Sequence, residues 1–319
     1  MLYPFDTSEQ LIFDFEALLR IHGLNIRSGS DLERISFAVM ETNAKHKKEI
    51  AHDDSSDIRD IFSDVAGLVD FVTQIVRNGD HEDFEKLIPH LQLLNTSSTT
   101  VLTSRSKVTD EGNNKLLELY TALLCMRLSS DVDLDDPNNS KGDNPDVIFT
   151  YNKVRWAIAC KALHSNNEKT LYDTIVKGTE QINRSPAVKG IVLVNVKNII
   201  NREELWPIVN KDDLKTGETA SFGAFNNLNT PTEKLRQYGE DFRTRMIGTV
   251  GLDSLIRLSE SKKCPAGFLI FLHALTSVIH DDQPTATILK TFNLVSFSQI
   301  DQEYLNLARD LNDAMHLCI

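Results

Sequence analysis

The 319-residue sequence predicts an α/β protein, a mixed β-sheet core flanked by helical regions on its N- and C-terminal sides. Three observations predict it. Apolar residues recur at helical spacing through the first hundred positions. Between 147 and 195 two short strands, a capped helix and a continuous apolar strand follow one another, an order that calls for a mixed sheet with a helical crossover. Beyond about 230 helical periodicity returns, interrupted by two short apolar runs. The chain divides accordingly into a helical N-terminal region, 1–100, and an α/β core, 101–319.

The elements follow in order. Thr7-Ser-Glu-Gln10 and Ser30-Asp-Leu-Glu33 have capping-box form, so helices are expected near 8–22 and 31–47, with two more near 56–78 and 82–94. In the third, Phe62, Val65, Leu68, Val69, Phe71, Val72 and Ile75 make a broad apolar stripe, which reads as core. Ser97 to Thr100 reads as a linker, and a helix spans about 111–128. The stretch 130–140, rich in Asp and Asn, reads as a surface loop that cannot build a core. Strands are expected near 147–151 and 155–163, a helix at 170–183 and a buried strand at 190–195. Thr230-Pro-Thr-Glu233 caps a helix near 232–246, followed by another near 250–260. Strands near 267–272 and 286–292 are joined through 280–284, the first of them also open to a buried helix because periodicity does not decide a short apolar run, and Ser298 opens the last helix.

Composition narrows the function classes. Hydrophobic residues at 41% and charged residues at 25% suit an ordinary globular chain. No run approaches eighteen consecutive apolar residues, and the N-terminus lacks a basic region followed by an apolar one, so neither a membrane span nor a secretion signal is expected. Cys125, Cys160, Cys264 and Cys318 form no C-x-x-C pair and read as reduced thiols of a cytoplasmic protein. The nine histidines show no zinc-binding spacing. The net charge of −12 speaks against nucleic acid until its distribution is considered. From Lys153 to Arg202 there are nine Lys/Arg and three acids, about +6, which leaves about −18 for the remainder. That pattern suits a localised anion site; the plainer alternative is scattered surface cations.

Certain residues carry chemistry. Lys161 lies in the small and apolar run Arg155-Trp-Ala-Ile-Ala-Cys-Lys-Ala-Leu163, where an unpaired interior cation is costly. It shares a strand face with Ala157 and Ala159, which leaves room above it for a ligand. Asp146 follows Pro145 at the mouth of a strand. Glu118 sits in a helix that is apolar almost all round, so its carboxylate must be paired, protonated or metal-bound. On the next helix Asp173, Lys177 and Glu180 share one face, with Gln181 beside them. The bland readings are a snorkelling lysine, a turn aspartate, a local salt bridge and a solvated helix face.

Taken together, Glu118 on a leading helix, Pro145-Asp146 opening a strand, a strand reaching Lys161, and a helix bearing Gln181 resemble the PD-(D/E)XK nuclease superfamily over roughly 111–195. The resemblance implies a restriction-endonuclease-like core in which Asp146 is the central metal ligand and Glu118 an outer one. It implies that Lys161 positions the attacking water, with Gln181 as an accessory residue. The metal implied is Mg2+, with Mn2+ as a substitute. One departure is plain: the family's second acid, two positions before the lysine, is here Ala159, and Glu180 or Asp173 is expected to stand in for it. Lys153, Arg155, Lys169 and Lys177 are candidate contacts to the DNA backbone.

The expected function is magnesium-dependent hydrolysis of DNA, in a setting such as restriction or anti-phage defence that the resemblance alone suggests. RNA stays open as substrate, because metal-bound phosphate chemistry does not read the sugar. The contrasting expectation is a catalytically silent nucleic-acid-binding or assembly subunit, working with a protein partner or as a homo-oligomer. Ala159 and the overall acidity favour it.

Overall fold

A computed structural model describes residues 5–45, 58–96, 111–138, 142–163, 166–208 and 222–316. Its centre is a six-stranded mixed sheet whose strands lie side by side in chain order. Strands β2 (Val147–Tyr151) and β3 (Val154–Ala162) form a hairpin. Its two-residue turn puts Asn152 and Lys153 at φ 49° and 65°, the left-handed turn geometry that matches strand twist. A short edge strand, β1 (Val132–Leu134), pairs antiparallel with β2.

This corrects the expectation of a surface loop over 130–140. Val132 is fully buried against the core, while Asp131 and Asp133 alternate outward. A period of two lets one acidic strand contribute an apolar face and an ionic one.

The crossover from β3 runs through helix α6 (Glu168–Arg184), which the Asn167 side chain caps by accepting from the Thr170 N–H at 3.0 Å. It returns to β4 (Lys189–Asn195), parallel to β3. Helices α7 (Arg202–Leu205), α8 (Asn229–Val250) and α9 (Leu252–Ile256) then lead to β5 (Gly267–His280), parallel to β4. β6 (Gln283–Ser296) closes an antiparallel hairpin with β5. Both strands run for 14 residues, well past the apolar runs that mark them in the sequence. Their outer halves, with Thr276, Ser277, Thr285 and Thr287, need no apolar signal, since ladder hydrogen bonds and β-branched side chains sustain them.

One sheet face is covered by α6 and α8. The other carries α5 (Glu111–Met126), α10 (Gln302–His316) and the N-terminal helices α1 (Phe5–Ile21), α2 (Asp31–Lys45), α3 (Ile58–Arg77) and α4 (Ile88–Leu94). A 3-10 turn, Phe84–Leu87, occupies the first half of the segment expected as one helix over 82–94. Aromatic rings join the N-terminal helices to the sheet: Phe71 of α3 lies 6.1 Å from Tyr120 of α5, which lies 5.5 Å from Phe271 of β5. Among the described residues, no helix is long and apolar enough to cross a membrane. The linker expected at 97–100, the boundary at 100/101 and Cys318 lie outside the described residues.

Candidate active site

β2 and β3 are hydrogen-bonded up to Val147 and Ile158 and then part. At that fork the Asp146 N–H still donates to the Ile158 carbonyl at 3.1 Å, while its side chain turns across to accept from the Cys160 N–H at 2.6 Å. The carboxylate is thereby fixed beside the last residues of β3. Lys161 Nζ lies 3.5 Å from Asp146 Oδ2. The alternation expected along β3 is seen: Ala157 and Ala159 pack on the α6 side, and Trp156, Ile158 and Cys160 on the α5 side.

α5 brings Glu118 over the same edge of the sheet. The helix is buried on nearly every side, which follows from its run of Leu, Tyr, Ala, Cys and Met. Its first turns are tied to β3 by the Asn114 Oδ1, which accepts from the Ala162 N–H at 2.8 Å. The Glu118 Oε2 meets Lys115 Nζ at 2.8 Å and His90 Nε2, from α4, at 3.1 Å. A salt bridge to a nearby arginine is the plain expectation for Glu118; its partners are instead a lysine one turn back and a histidine from another helix.

The electrostatics of the two acids differ. Burial pushes Glu118 up, but the His90 hydrogen bond and the Lys115 charge outweigh it and hold the carboxyl below its ordinary value. Asp146 is pushed up to about 7, first by burial and then by the like charge of Glu118. Lys161, the Cys160 N–H and Lys115 oppose that rise without cancelling it. Asp146 therefore sits where additional positive charge is favoured.

Three residues of this neighbourhood, Lys115, His90 and Asp135, escape sequence reasoning. Lys115, on the Glu118 face by i, i+3 spacing, was legible in principle. Asp135 was not, because it lies in the stretch read as surface loop. Its N–H donates to the Asp146 carbonyl at 2.9 Å, and its Oδ2 is buried with no hydrogen-bond partner. Its charge, with those of Glu118 and Asp146, raises Lys115 against the opposing effect of burial.

The remaining candidates lie elsewhere. Asp173, Lys177 and Glu180 are exposed on α6, and Glu180 pairs with Arg184 at 3.7 Å. Leu171, Ile175, Gly178 and Ile182 take the sheet-facing side of that helix, so the acids expected to stand in for residue 159 turn outward. Gln181 is buried, and its Nε2 donates to the Gly142 carbonyl at 2.6 Å. It braces the segment leading into Asp146. Lys153 occupies the hairpin turn, at the opposite end of β2 from Asp146. Arg155 is engaged by Asp131 at 2.6 Å and by Asp133, so it is committed within the protein. Lys169 is exposed near the start of α6.

Comparison of the chain with family models, with curated proteins and with solved structures finds no match in any of the three.

Proposed function

We propose that this protein is a magnesium-dependent nuclease that hydrolyses DNA phosphodiester bonds on a restriction-endonuclease-like core of the PD-(D/E)XK kind. The observation that carries the reading is the 3.5 Å approach of Lys161 Nζ to Asp146 Oδ2 at the fork of β2 and β3. The donor set suits a hard cation. It consists of carboxylates, one of them with a buried oxygen lacking any hydrogen bond, and Asp146 is pushed up to about 7 by burial and by the like charge of Glu118, both of which a bound cation would offset. Asp146 and Glu118 would hold the ion, and Asp135, whose charge acts on the same Lys115, would supply a third carboxylate. Mn2+, of the same oxygen-seeking class, would substitute. Bound there, the metal would supply Lewis-acid polarisation of the phosphate and a water of lowered pKa.

The chain's own groups do the rest. The Cys160 N–H holds the Asp146 carboxylate in one orientation, and Gln181 steadies the approach to it through Gly142. Lys161 places its side-chain nitrogen beside Asp146, where its charge stabilises negative charge developing on the phosphate oxygens.

A second reading is favoured by specific observations. Ala159 is wholly buried, and Glu118 is already neutralised by Lys115. A silent subunit that binds nucleic acid or assembles with a partner would have this appearance. Incubation with supercoiled plasmid and magnesium separates the two. Nicking by the wild type, lowered about a hundredfold or more in Asp146→Ala and Lys161→Ala, supports the nuclease. Retained DNA binding with no nicking by any form overturns it in favour of the silent subunit.

A further inference from the structure

In the two ion pairs of the site, Lys115–Glu118 and Lys161–Asp146, the accessible partners are the cations. The side chains of Lys115 and Lys161 are each 19% exposed, whereas those of Glu118 and Asp146 are 3% and 7% exposed. A ligand arriving from solvent meets the two ammoniums before either carboxylate. Both retain donors for it. An ammonium has three N–H groups, and the bond to Glu118 at 2.8 Å uses one of those on Lys115. Lys161 sits 3.5 Å from Asp146, a looser ion pair at the outer limit of hydrogen-bond distance. The two lysines come from different elements, yet their spacing is not left to side-chain chance. Asn114, adjacent to Lys115, is bonded to the backbone of Ala162, adjacent to Lys161.

We infer that Lys115 is a phosphate anchor: together with Lys161 it binds the phosphodiester backbone of a nucleic acid at the mouth of the site, with Glu118 and Asp146 beneath holding both ammoniums in place. This rests on the reading of the ligand as nucleic acid, but not on metal-dependent cleavage. It also locates the backbone contact differently from the sequence-based expectation. Lys153 is at the far end of the hairpin, Arg155 is engaged by two aspartates, and Lys169 and Lys177 are exposed on α6. The competing role for Lys115 is that of a counter-ion to Glu118 that never touches a ligand.

Salt dependence distinguishes these roles, because the slope of log K against log salt shrinks by about 0.9 for every phosphate the protein ceases to neutralise. The measurement is fluorescence anisotropy of a labelled short DNA duplex in EDTA over a range of KCl concentrations. Lys115→Met is expected to weaken binding about tenfold and to flatten the slope by about 0.9, with Lys115→Arg restoring both. Because Lys115→Met leaves Glu118 without its cation, the double variant Lys115→Met/Glu118→Gln is measured beside it, and the same flattening is expected. A wild-type slope in the double variant reduces Lys115 to a counter-ion and overturns the inference. So does a wild type that shows no metal-free binding. If the slope falls as expected while magnesium produces no cleavage, the anchor stands and the nuclease reading fails.

Discussion

Histidine is the side chain most easily forced to change its protonation by burial, and His273 shows the effect outside the candidate site. Burial lowers it to about 3, with the Lys197 and Lys290 charges acting in the same direction and Asp70 opposing them. Its Nδ1 is buried without a hydrogen-bond partner. The unfolded chain takes up a proton as pH falls below about 6.5, while the native state refuses it until about 3. The unfolded state therefore binds more protons across that window, and stability from this group is lost as pH falls. Asp146 has the opposite sign: native protein keeps a proton that the unfolded chain releases from about pH 4, so its contribution declines as pH rises toward 7. His273→Phe is expected to remove the first dependence alone. Urea unfolding at several pH values should show the variant gaining on the wild type by up to about 1.4 kcal/mol per pH unit between 6 and 4. A difference that stays constant with pH would mean that His273 is not held neutral. At this scale Lys161 and Glu118 were legible, since a charge in an apolar run is conspicuous in any chain, whereas Asp146, after Gly142-Asp-Asn-Pro145, stood out only through its place at a strand mouth and the resemblance. Asp135 and His90 were not: one lies in an acidic stretch, the other in a helix with its own apolar stripe, and nothing local links either to the site.

The helix that carries most of the expected accessory residues is placed by two glycines. A Cβ at Gly178 would lie 2.8 Å from the Val192 side chain, and one at Gly190 would lie 2.7 Å from the Ala157 carbonyl oxygen and 2.5 Å from Ile182. Their absence lets α6 sit close on β3 and β4, which decides which of its faces is inside. Gly190→Ala is expected to destabilise by about 1–3 kcal/mol, because a backbone oxygen cannot move aside as a flexible side chain would. Chemical denaturation gives the value, and a midpoint equal to that of the wild type would contradict the close packing. The extent of α6, its cap and its amphipathic pattern were all readable in the sequence. Which end of which strand Asp173 and Glu180 would face was not, because the i, i+4, i+7 rule groups residues on a face without saying what that face meets. The same holds for β5 and β6, whose polar outer halves carry no apolar pattern and are sustained by each other.

Across the whole molecule, the N-terminal helices and the sheet are joined by a buried ion pair as well as by apolar packing. Lys290 of β6 bonds Asp70 of α3, and the Tyr120 hydroxyl of α5 donates to the same aspartate at 3.1 Å. Lys290→Met removes the Lys290 cation from buried Asp70 and is expected to cost about 3–5 kcal/mol. Adding Asp70→Leu should recover much of that loss, since a buried pair replaced by apolar side chains is often neutral. Thermal unfolding of the two variants tests this, and a single variant no less stable than the double would exclude the coupling. Charge behaves in the same non-local way. The basic segment 153–202 reads as a positive module in an acidic body, yet Arg155 is paired with Asp131 and Asp133, Arg184 lies 3.8 Å from Asp143, and Lys189 lies 2.9 Å from Glu303. Acids from the flanking segments fold back on much of it.

Local rules were sufficient for the kind and order of most elements, because capping residues, apolar periodicity and turn chemistry act over a few positions. They also singled out Lys161 and Glu118, because a charge in an apolar run stands out against its neighbours, while Asp146 was marked by the Pro145 before it and by the resemblance. What only the tertiary structure decided is which groups face one another: that Lys161 reaches Asp146, that Glu118 is held by Lys115 and His90, that Asp135 rather than Asp173 or Glu180 lies beside the fork, and that Arg155 is spent on β1. The reason is physical. Pairing between distant side chains depends on strand register and on how closely a helix can approach a sheet, and both are set by packing summed over the whole core.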